Sequence, residues 1–96
     1  MTPESKVKST IRKYLRDNGW YYRAIGSNQY TRGGLPDTFA IKDGIVLFIE
    51  CKSATGKLSG SQIETMFEIK NRGGNYIVAY SKEDVIEYCR KKKIEI

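Results

Sequence analysis

The sequence predicts a single α/β domain, built on a mixed sheet of about four strands that is flanked by helices. Three observations lead to this class. An Asp-Gly pair at residues 43–44 lies between two apolar runs, which is a strong hairpin signal. A helical pattern separates the second hairpin strand from another apolar strand, which implies a parallel pair with a right-handed crossover. The 96 residues suffice for one domain, spanning residues 1–96, with a modest core.

The first segment is predicted to be a helix followed by a strand. Thr2 is the expected N-cap and Pro3 the first helical residue, and the pair Asn18-Gly19 ends the helix. The apolar stripe of this helix has helical spacing and consists of Val7, Ile11, Tyr14 and Leu15. Residues 20–25 are rich in aromatic side chains, which favours a strand.

Residues 26–35 are a long polar stretch, and such loops in small domains are usually functional or disordered. Tyr30 and Arg32 suit base stacking and phosphate contact. The alternative is a linker without a binding role. Gly34 suggests that the backbone passes close to another group, which we expect to be the candidate site.

The hairpin from Pro36 to Lys52 organises the chain. With a two-residue type I′ turn, cross-strand partners have numbers that sum to 87, so Asp37 faces Glu50. Alternation of side chains then places Lys52 on the face of Glu50 and turns Cys51 toward the core. Like charges at facing positions destabilise a sheet. A bound divalent cation would explain this pair of carboxylates, because hard cations take carboxylate oxygens.

The segment after the turn is predicted to be the centre of the sheet. Ile45 to Ile49 is apolar without alternation, which is typical of a strand covered on both faces. In the following loop, residues 53–58, Lys57 is a candidate nucleic-acid contact or simply a surface cation. Ser59 caps a second helix that runs to about Arg72. One face of this helix carries Ile63, Met66, Phe67 and Lys70.

The chain closes with a strand and a third helix. Residues 75–80 form a short apolar strand, and residues 81–84 resemble a capping box with Asp84 in the position of Glu. Three side chains of the third helix are expected to point inward: Val85, Ile86 and Cys89. The basic run at residues 90–93 is either a solvated tail or a phosphate contact.

Composition favours a polyanionic partner. Lys and Arg outnumber Asp and Glu by 17 to 11, the formal net charge is +6, and the pI is about 9.4. Such a balance suits nucleic acid, although a well-solvated basic surface explains it equally.

Several classes of site and location are excluded or disfavoured. The chain has no histidine, which removes Ser-His-Asp and Cys-His nucleophiles and His-ligated zinc. Cys51 and Cys89 are expected to be free thiols in a reducing cytoplasm. No stretch approaches the roughly 18 apolar residues of a membrane span, and the N-terminus has no signal-peptide core.

The residue types grouped at the hairpin end are those that catalyse phosphodiester hydrolysis with a metal ion. A divalent cation held by carboxylates can activate water and stabilise charge on phosphate oxygens. Lys52 could orient or help deprotonate the water. The structural alternatives are a turn role for Asp37 after proline, and an ion pair between Glu50 and Lys52. Glu4 in the first helical turn complements the helix dipole.

These residues also resemble a known family. Pro36-Asp37, then twelve residues, then Glu50-Cys51-Lys52 matches the signature of the PD-(D/E)XK nucleases. With Gly34-Leu35 before it, Gln62 opening the next helix and Glu4 in the first helix, the pattern is similar to the VRR-NUC branch over nearly the whole chain. Cys51 stands where that family usually has a small aliphatic residue.

The resemblance implies a restriction-endonuclease-like core and a Mg²⁺- or Mn²⁺-dependent DNA endonuclease. Asp37 and Glu50 would bind the metal, helped by the carbonyl of Cys51, and Glu4 would complete the ligand set. Lys52 would act on the water, and Gln62 would position Lys52 or the phosphate.

The resemblance further implies a substrate and an assembly. Small stand-alone members are typically phage-encoded, which places the protein in the cytoplasm of a bacterial host. They resemble dimeric Holliday junction resolvases, which predicts a homodimer on branched DNA. Six aromatic residues are candidate interface residues: Trp20, Tyr21, Tyr22, Tyr76, Tyr80 and Tyr88. The alternatives are a non-catalytic nucleic-acid-binding module and a flap- or RNA-directed nuclease.

Overall fold

A computed structural model describes residues 2–26 and 33–94, and this part of the chain contains seven regular elements. In chain order they are α1 (Pro3–Asp17), β1 (Tyr21–Ala24), β2 (Thr38–Lys42), β3 (Ile45–Cys51), α2 (Gly60–Asn71), β4 (Asn75–Ala79) and α3 (Lys82–Lys91). This order confirms the predicted α/β class. Within the described ranges, none of the helices is both long and apolar enough to cross a bilayer.

The four strands form one mixed sheet in the order β1-β2-β3-β4. The first two pairs are antiparallel, and β3 pairs with β4 in parallel. The turn between β2 and β3 has φ of 52° at Asp43 and 80° at Gly44, as a type I′ turn requires. Pairing of Thr38 with Ile49 confirms the predicted register. The strand β3 lies between two others, as its unbroken apolar run predicted.

The core lies on one face of the sheet, beneath α1 and α3. In β3, Ile49 and Cys51 are 0% and 1% exposed, and they belong to the same cluster of buried side chains. That cluster takes Ile11 and Leu15 from α1, and Val85 and Cys89 from α3. Both cysteines are buried and unpaired, which confirms the expectation of free thiols.

The three helix starts differ. Thr2 and Ser59 cap α1 and α2 as predicted, each accepting a hydrogen bond from a backbone N–H in the first turn. The capping box predicted at Ser81 is wrong, because that side chain makes no capping bond. Its backbone is more extended (φ −161°) than that of Ser59 (φ −73°). The Asp84 carboxylate instead accepts the backbone N–H of Tyr80 at 2.8 Å.

The helix α2 contacts β4 but buries none of its own residues. Its predicted apolar face stays open to solvent, with Ile63 41% and Phe67 55% exposed. Backbone fits tightly at both ends of the helix. A Cβ at Gly34 would overlap the backbone carbonyl of Ser61, and one at Gly74 would overlap the Ile69 side chain. The neighbour of Gly34 is therefore α2, and not the candidate site that we expected.

The aromatic surplus expected for an interface is smaller than predicted. Trp20 and Tyr76 are buried, at 4% and 2% exposure, while Tyr22 and Tyr88 pack against the core. The remaining members of the predicted set, Tyr21 and Tyr80, are exposed large side chains. Aromatic exposure alone therefore gives weak support for an interface.

Candidate active site

The structure brings Asp37, Glu50 and Lys52 together at the C-terminal end of β3. Asp37 precedes Thr38, which pairs with Ile49, so the strand register continues to Asp37 beside Glu50. Lys52 Nζ lies 3.7 Å from Glu50 Oε2, and their side chains are only 14% and 6% exposed. The hairpin geometry thus produces the predicted grouping of two carboxylates and an ammonium.

Asp37 is held firmly by hydrogen bonds. Its Oδ2 accepts the backbone N–H of Cys51 at 2.8 Å, and its Oδ1 accepts the hydroxyl of Thr38 at 2.8 Å. Its backbone carbonyl accepts the N–H of Ile25 at 2.8 Å. The carboxylate therefore occupies the place of a strand partner at the end of β3, which fixes its direction.

Arg12 supports this arrangement from α1, and sequence reasoning missed it. Its Nη2 donates to Thr38 Oγ1 at 3.0 Å, and that hydroxyl donates in turn to Asp37. Arg12 and Thr38 are 26 positions apart, so no local pattern connects them. The guanidinium acts as a positioning group, because it orients the hydroxyl that binds the Asp37 carboxylate.

Glu50 is held less completely. Its Oε1 is buried and has no hydrogen-bond partner among the described residues. Burial, followed by the negative charge of Asp37, raises the pKa of Glu50 to about 7, while Lys52 opposes the rise. A carboxylate with a raised pKa and an open oxygen is a typical feature of a functional site.

Glu4 lies at the margin of the cluster. Its carboxylate pairs with Lys8 at 3.5 Å on the next turn of α1, and the side chain is 41% exposed. Its charge still contributes to the raised pKa of Glu50, which places it near that residue. This position allows Glu4 to interact favourably with the dipole of α1, and it is also compatible with the predicted role of Glu4 as a metal ligand.

The donor set fits a divalent cation. Within residues 2–26 and 33–94, no three Cys, Asp or Glu side chains converge closely enough to enclose a metal ion by themselves. Mg²⁺, however, is usually held by one or two carboxylates, with water and substrate phosphate supplying the other oxygens. Asp37 and Glu50 provide such a pair. Glu50 Oε1, which has no hydrogen-bond partner among the described residues, is an oxygen that is free to coordinate the metal.

The other predicted residues have varied positions. The Cys51 side chain faces the core, as its strand parity predicted. Gln62 Oε1 accepts the backbone N–H of Ser59 at 2.9 Å, so this oxygen serves the helix cap. Lys57 is exposed on the loop before α2. Tyr30 and Arg32 lie outside the described residues.

Comparison with known proteins identifies a family and a similar solved structure. The sequence model of the archaeal Holliday junction resolvase family, Hjc, matches residues 5–95. A solved structure described as a VRR_NUC domain matches with a TM-score of 0.80 and 23% sequence identity, covering 94% of this chain and 97% of that one. The structural match confirms the predicted nuclease-type fold. Because the family match extends over nearly the whole sequence, the chain belongs to the Hjc family of the PD-(D/E)XK nuclease superfamily.

Proposed function

We propose that this protein is a divalent-metal-dependent endonuclease that hydrolyses phosphodiester bonds in branched DNA. The observation that carries the proposal is the carboxylate pair at the end of β3. There Glu50 is buried, salt-bridged to Lys52 and open at one oxygen beside Asp37. Membership of a resolvase family supports the reaction class.

Asp37 and Glu50 would hold Mg²⁺ or Mn²⁺, with Glu4 and the carbonyl of Cys51 as further candidate ligands. When bound, such a cation supplies Lewis-acid activation of water and stabilises charge on the phosphate. Lys52 would donate a hydrogen bond to the attacking water or to a phosphate oxygen, and its ion pair with Glu50 at 3.7 Å supports this role. With Gln62 Oε1 used in the helix cap, only its amide nitrogen is left to contact a phosphate.

A basic groove along α1 supports DNA as the partner. The groove has a volume of about 450 Å³, and its cationic side chains are Lys8, Arg12, Lys13 and Arg16. The hydroxyls of Ser5 and Ser9 add neutral donors. In α1 as a whole, five basic residues stand against two acidic ones. Such a surface suits a phosphate backbone, and Arg12 connects it to the site through Thr38.

A homodimer on a four-way junction is the proposed working form. A four-way junction needs two symmetric nicks, and a two-fold dimer holds two identical sites in a fixed relation. The family name supports this substrate. The expected mass by light scattering is about 22 kDa, twice the 11.0 kDa of one chain. The predicted phage origin, cytoplasmic location and one-domain extent stay predictions.

The test is cleavage of labelled DNA of defined shape. Four-way junction, flap and linear duplex, together with an RNA duplex, would be incubated with Mn²⁺ or with EDTA. The proposal expects paired symmetric nicks in the junction that require Mn²⁺ and are lost in Glu50→Gln. Tight junction binding without cleavage would identify a non-catalytic module. A monomer that cuts flaps, or RNA alone, and leaves junctions intact would replace the proposed substrate.

A further inference from the structure

Tyr76 is a buried phenol on the face of the sheet that carries Glu50. It lies in β4 and pairs with Phe48, while Glu50 pairs with Val78 two residues further along. Side chains of paired residues in adjacent strands share a face, and alternate residues return to it. Its neighbour Ile77 belongs to the core cluster, so Tyr76 points to the opposite face, toward the carboxylates.

The hydroxyl of Tyr76 has no hydrogen-bond partner among the described residues, although Tyr76 is only 2% exposed. Burial, followed by the negative charges of Glu50 and Asp37, raises the pKa of Tyr76 to about 12. A phenol keeps its proton at neutral pH in any case, so this hydroxyl is a hydrogen-bond donor.

Two complementary groups thus lie unpaired on one face of the sheet. Glu50 Oε1 is a buried acceptor without a partner, and the Tyr76 hydroxyl is a buried donor without one. Leaving a polar group buried and unsatisfied costs about 1–3 kcal/mol, so native proteins rarely keep such a group without a reason. Because a buried donor and a buried acceptor both lack a hydrogen-bond partner on the same face, we expect them to act in the same functional site.

We propose that Tyr76 is a positioning residue of the active site, whose hydroxyl donates to the Glu50 carboxylate, directly or through one water, when a divalent cation binds there. The inference rests on the proposed function of the carboxylate pair. The hydroxyl would hold Glu50 in the orientation that binds the cation. Groups that orient a metal-binding side chain typically contribute roughly 10–100-fold to affinity or activity.

Tyr14 provides a matched control. Its hydroxyl is also buried without a partner in the described part of the chain. Its pKa is raised by burial and by Cys89, and not by the site carboxylates. Tyr14→Phe and Tyr76→Phe therefore each remove one buried, unpaired hydroxyl, and only Tyr76 shares the sheet face of Glu50.

The experiment measures Mn²⁺ binding by titration calorimetry for wild type, Tyr76→Phe and Tyr14→Phe, with melting temperatures in EDTA. We expect Tyr76→Phe to weaken Mn²⁺ binding by about tenfold and to lower kcat on junction DNA with little change in KM. Its melting temperature in EDTA should stay equal or rise, because the removed hydroxyl had no partner. Tyr14→Phe should match wild type in affinity and kcat.

The possible outcomes distinguish failure of this inference from failure of the proposed function on which it rests. If wild type and Glu50→Gln bind Mn²⁺ equally, the carboxylate pair is not the metal site, and both proposals fail. If wild type binds Mn²⁺ and cleaves DNA while Tyr76→Phe does both equally well, the positioning role alone is overturned. An equal loss in Tyr76→Phe and Tyr14→Phe would also overturn it, since any buried phenol would then have the same effect.

Discussion

At the C-terminal end of β3, the two faces of the strand have opposite chemistry. On one face, Ile49 and Cys51 are sealed against α1 and α3, at 0% and 1% exposure. On the other face, Glu50 and Lys52 are almost as deeply buried, yet they form an ion pair in which one carboxylate oxygen has no partner. At this end of the strand, burial is therefore similar on both faces, but burial of Ile49 and Cys51 stabilises the fold whereas burial of the Glu50 charge does not.

This contrast explains how a small domain can remain folded although its candidate site contains a buried charge. Apolar burial on the core face stabilises the fold, whereas desolvation of Glu50 opposes it. Because consecutive residues of one strand point to opposite faces, the stabilising and destabilising groups are one residue apart. Substitutions along β3 should consequently separate activity from stability cleanly.

The largest effect is expected for Glu50→Gln on cleavage. Loss of the carboxylate should lower kcat on junction DNA by more than about a hundredfold, which exceeds the usual cost of losing a ligand-orienting group. Melting in EDTA should show a protein at least as stable as wild type, because a buried charge next to Asp37 is gone. Wild type should gain stability from Mn²⁺ and the variant should not. An equal Mn²⁺ shift in both proteins would contradict this view of the site face.

The next effect concerns the core face. Cys51→Asp should unfold the domain, because an unpaired charge in that cluster costs about 3–5 kcal/mol, and the Asp37 carboxylate lies nearby. Cys51→Val should remain folded and active, since it keeps an apolar side chain of similar size. Chemical denaturation of both variants measures the difference. A stable, active Cys51→Asp protein would show that Cys51 is not a core residue.

The third effect is a dependence of stability on pH. The pKa of Glu50 is raised to about 7 in the folded protein, so between its ordinary value and 7 the folded state binds more protons than the unfolded state. Metal-free stability should therefore fall as pH rises through this window, by about 3 kcal/mol at most. Urea denaturation in EDTA at several pH values, with Glu50→Gln as the control, measures it. Parallel curves for the two proteins would refute the assignment.

A smaller effect is expected at the other carboxylate. Asp37→Asn keeps one acceptor oxygen but puts an amide NH₂ against either the Cys51 N–H or the Thr38 hydroxyl. With the amide oxygen on the Cys51 N–H, the NH₂ must donate to the Thr38 hydroxyl, and two hydrogen bonds to a charged acceptor are replaced by neutral ones, which should cost about 1–2 kcal/mol. The two carboxylates would then have opposite effects on metal-free stability, which thermal melts in EDTA can compare directly. A variant as stable as Glu50→Gln would mean that the Asp37 bonds contribute nothing.

The smallest effect lies away from the strand, in DNA affinity. Lys13→Ala with Arg16→Ala should weaken junction binding a few-fold and reduce the salt slope by about one to two units. A matched pair at the end of α3 is Lys91→Ala with Lys92→Ala, and both pairs have an acidic neighbour, Asp17 or Glu87. The pair on α3 should nevertheless change binding less, because it lies outside the basic groove that Arg12 connects to the site. Binding measured against salt concentration ranks the two surfaces. The reverse order would place the DNA on α3.

The hairpin could be predicted in detail because its determinants are local. The Asp43-Gly44 pair requires positive φ at both residues, and that turn determines every cross-strand pair that follows. The grouping of Asp37, Glu50 and Lys52 results from that register and from simple alternation. Cys51 could be assigned to the core by the same argument.

The remainder of the site depends on distant parts of the chain. Arg12 donates to Thr38 from α1, and Tyr76 shares the face of Glu50 from β4. No pattern within a short window relates either residue to the hairpin. Cap geometry was also only partly predictable, since Ser59 and Ser81 have similar sequence contexts but different backbone angles.

The way in which α2 packs on the sheet determines which of its residues can be substituted. Close backbone approach at Gly34 and Gly74 positions both ends of this helix, while none of its side chains is buried. Its outward residues, such as Ile63 and Phe67, can therefore be exchanged with little disturbance of the sheet. The outer surface of α2 can thus change independently of the sheet, which makes it a suitable place for selection, or a designed library, to introduce new contacts.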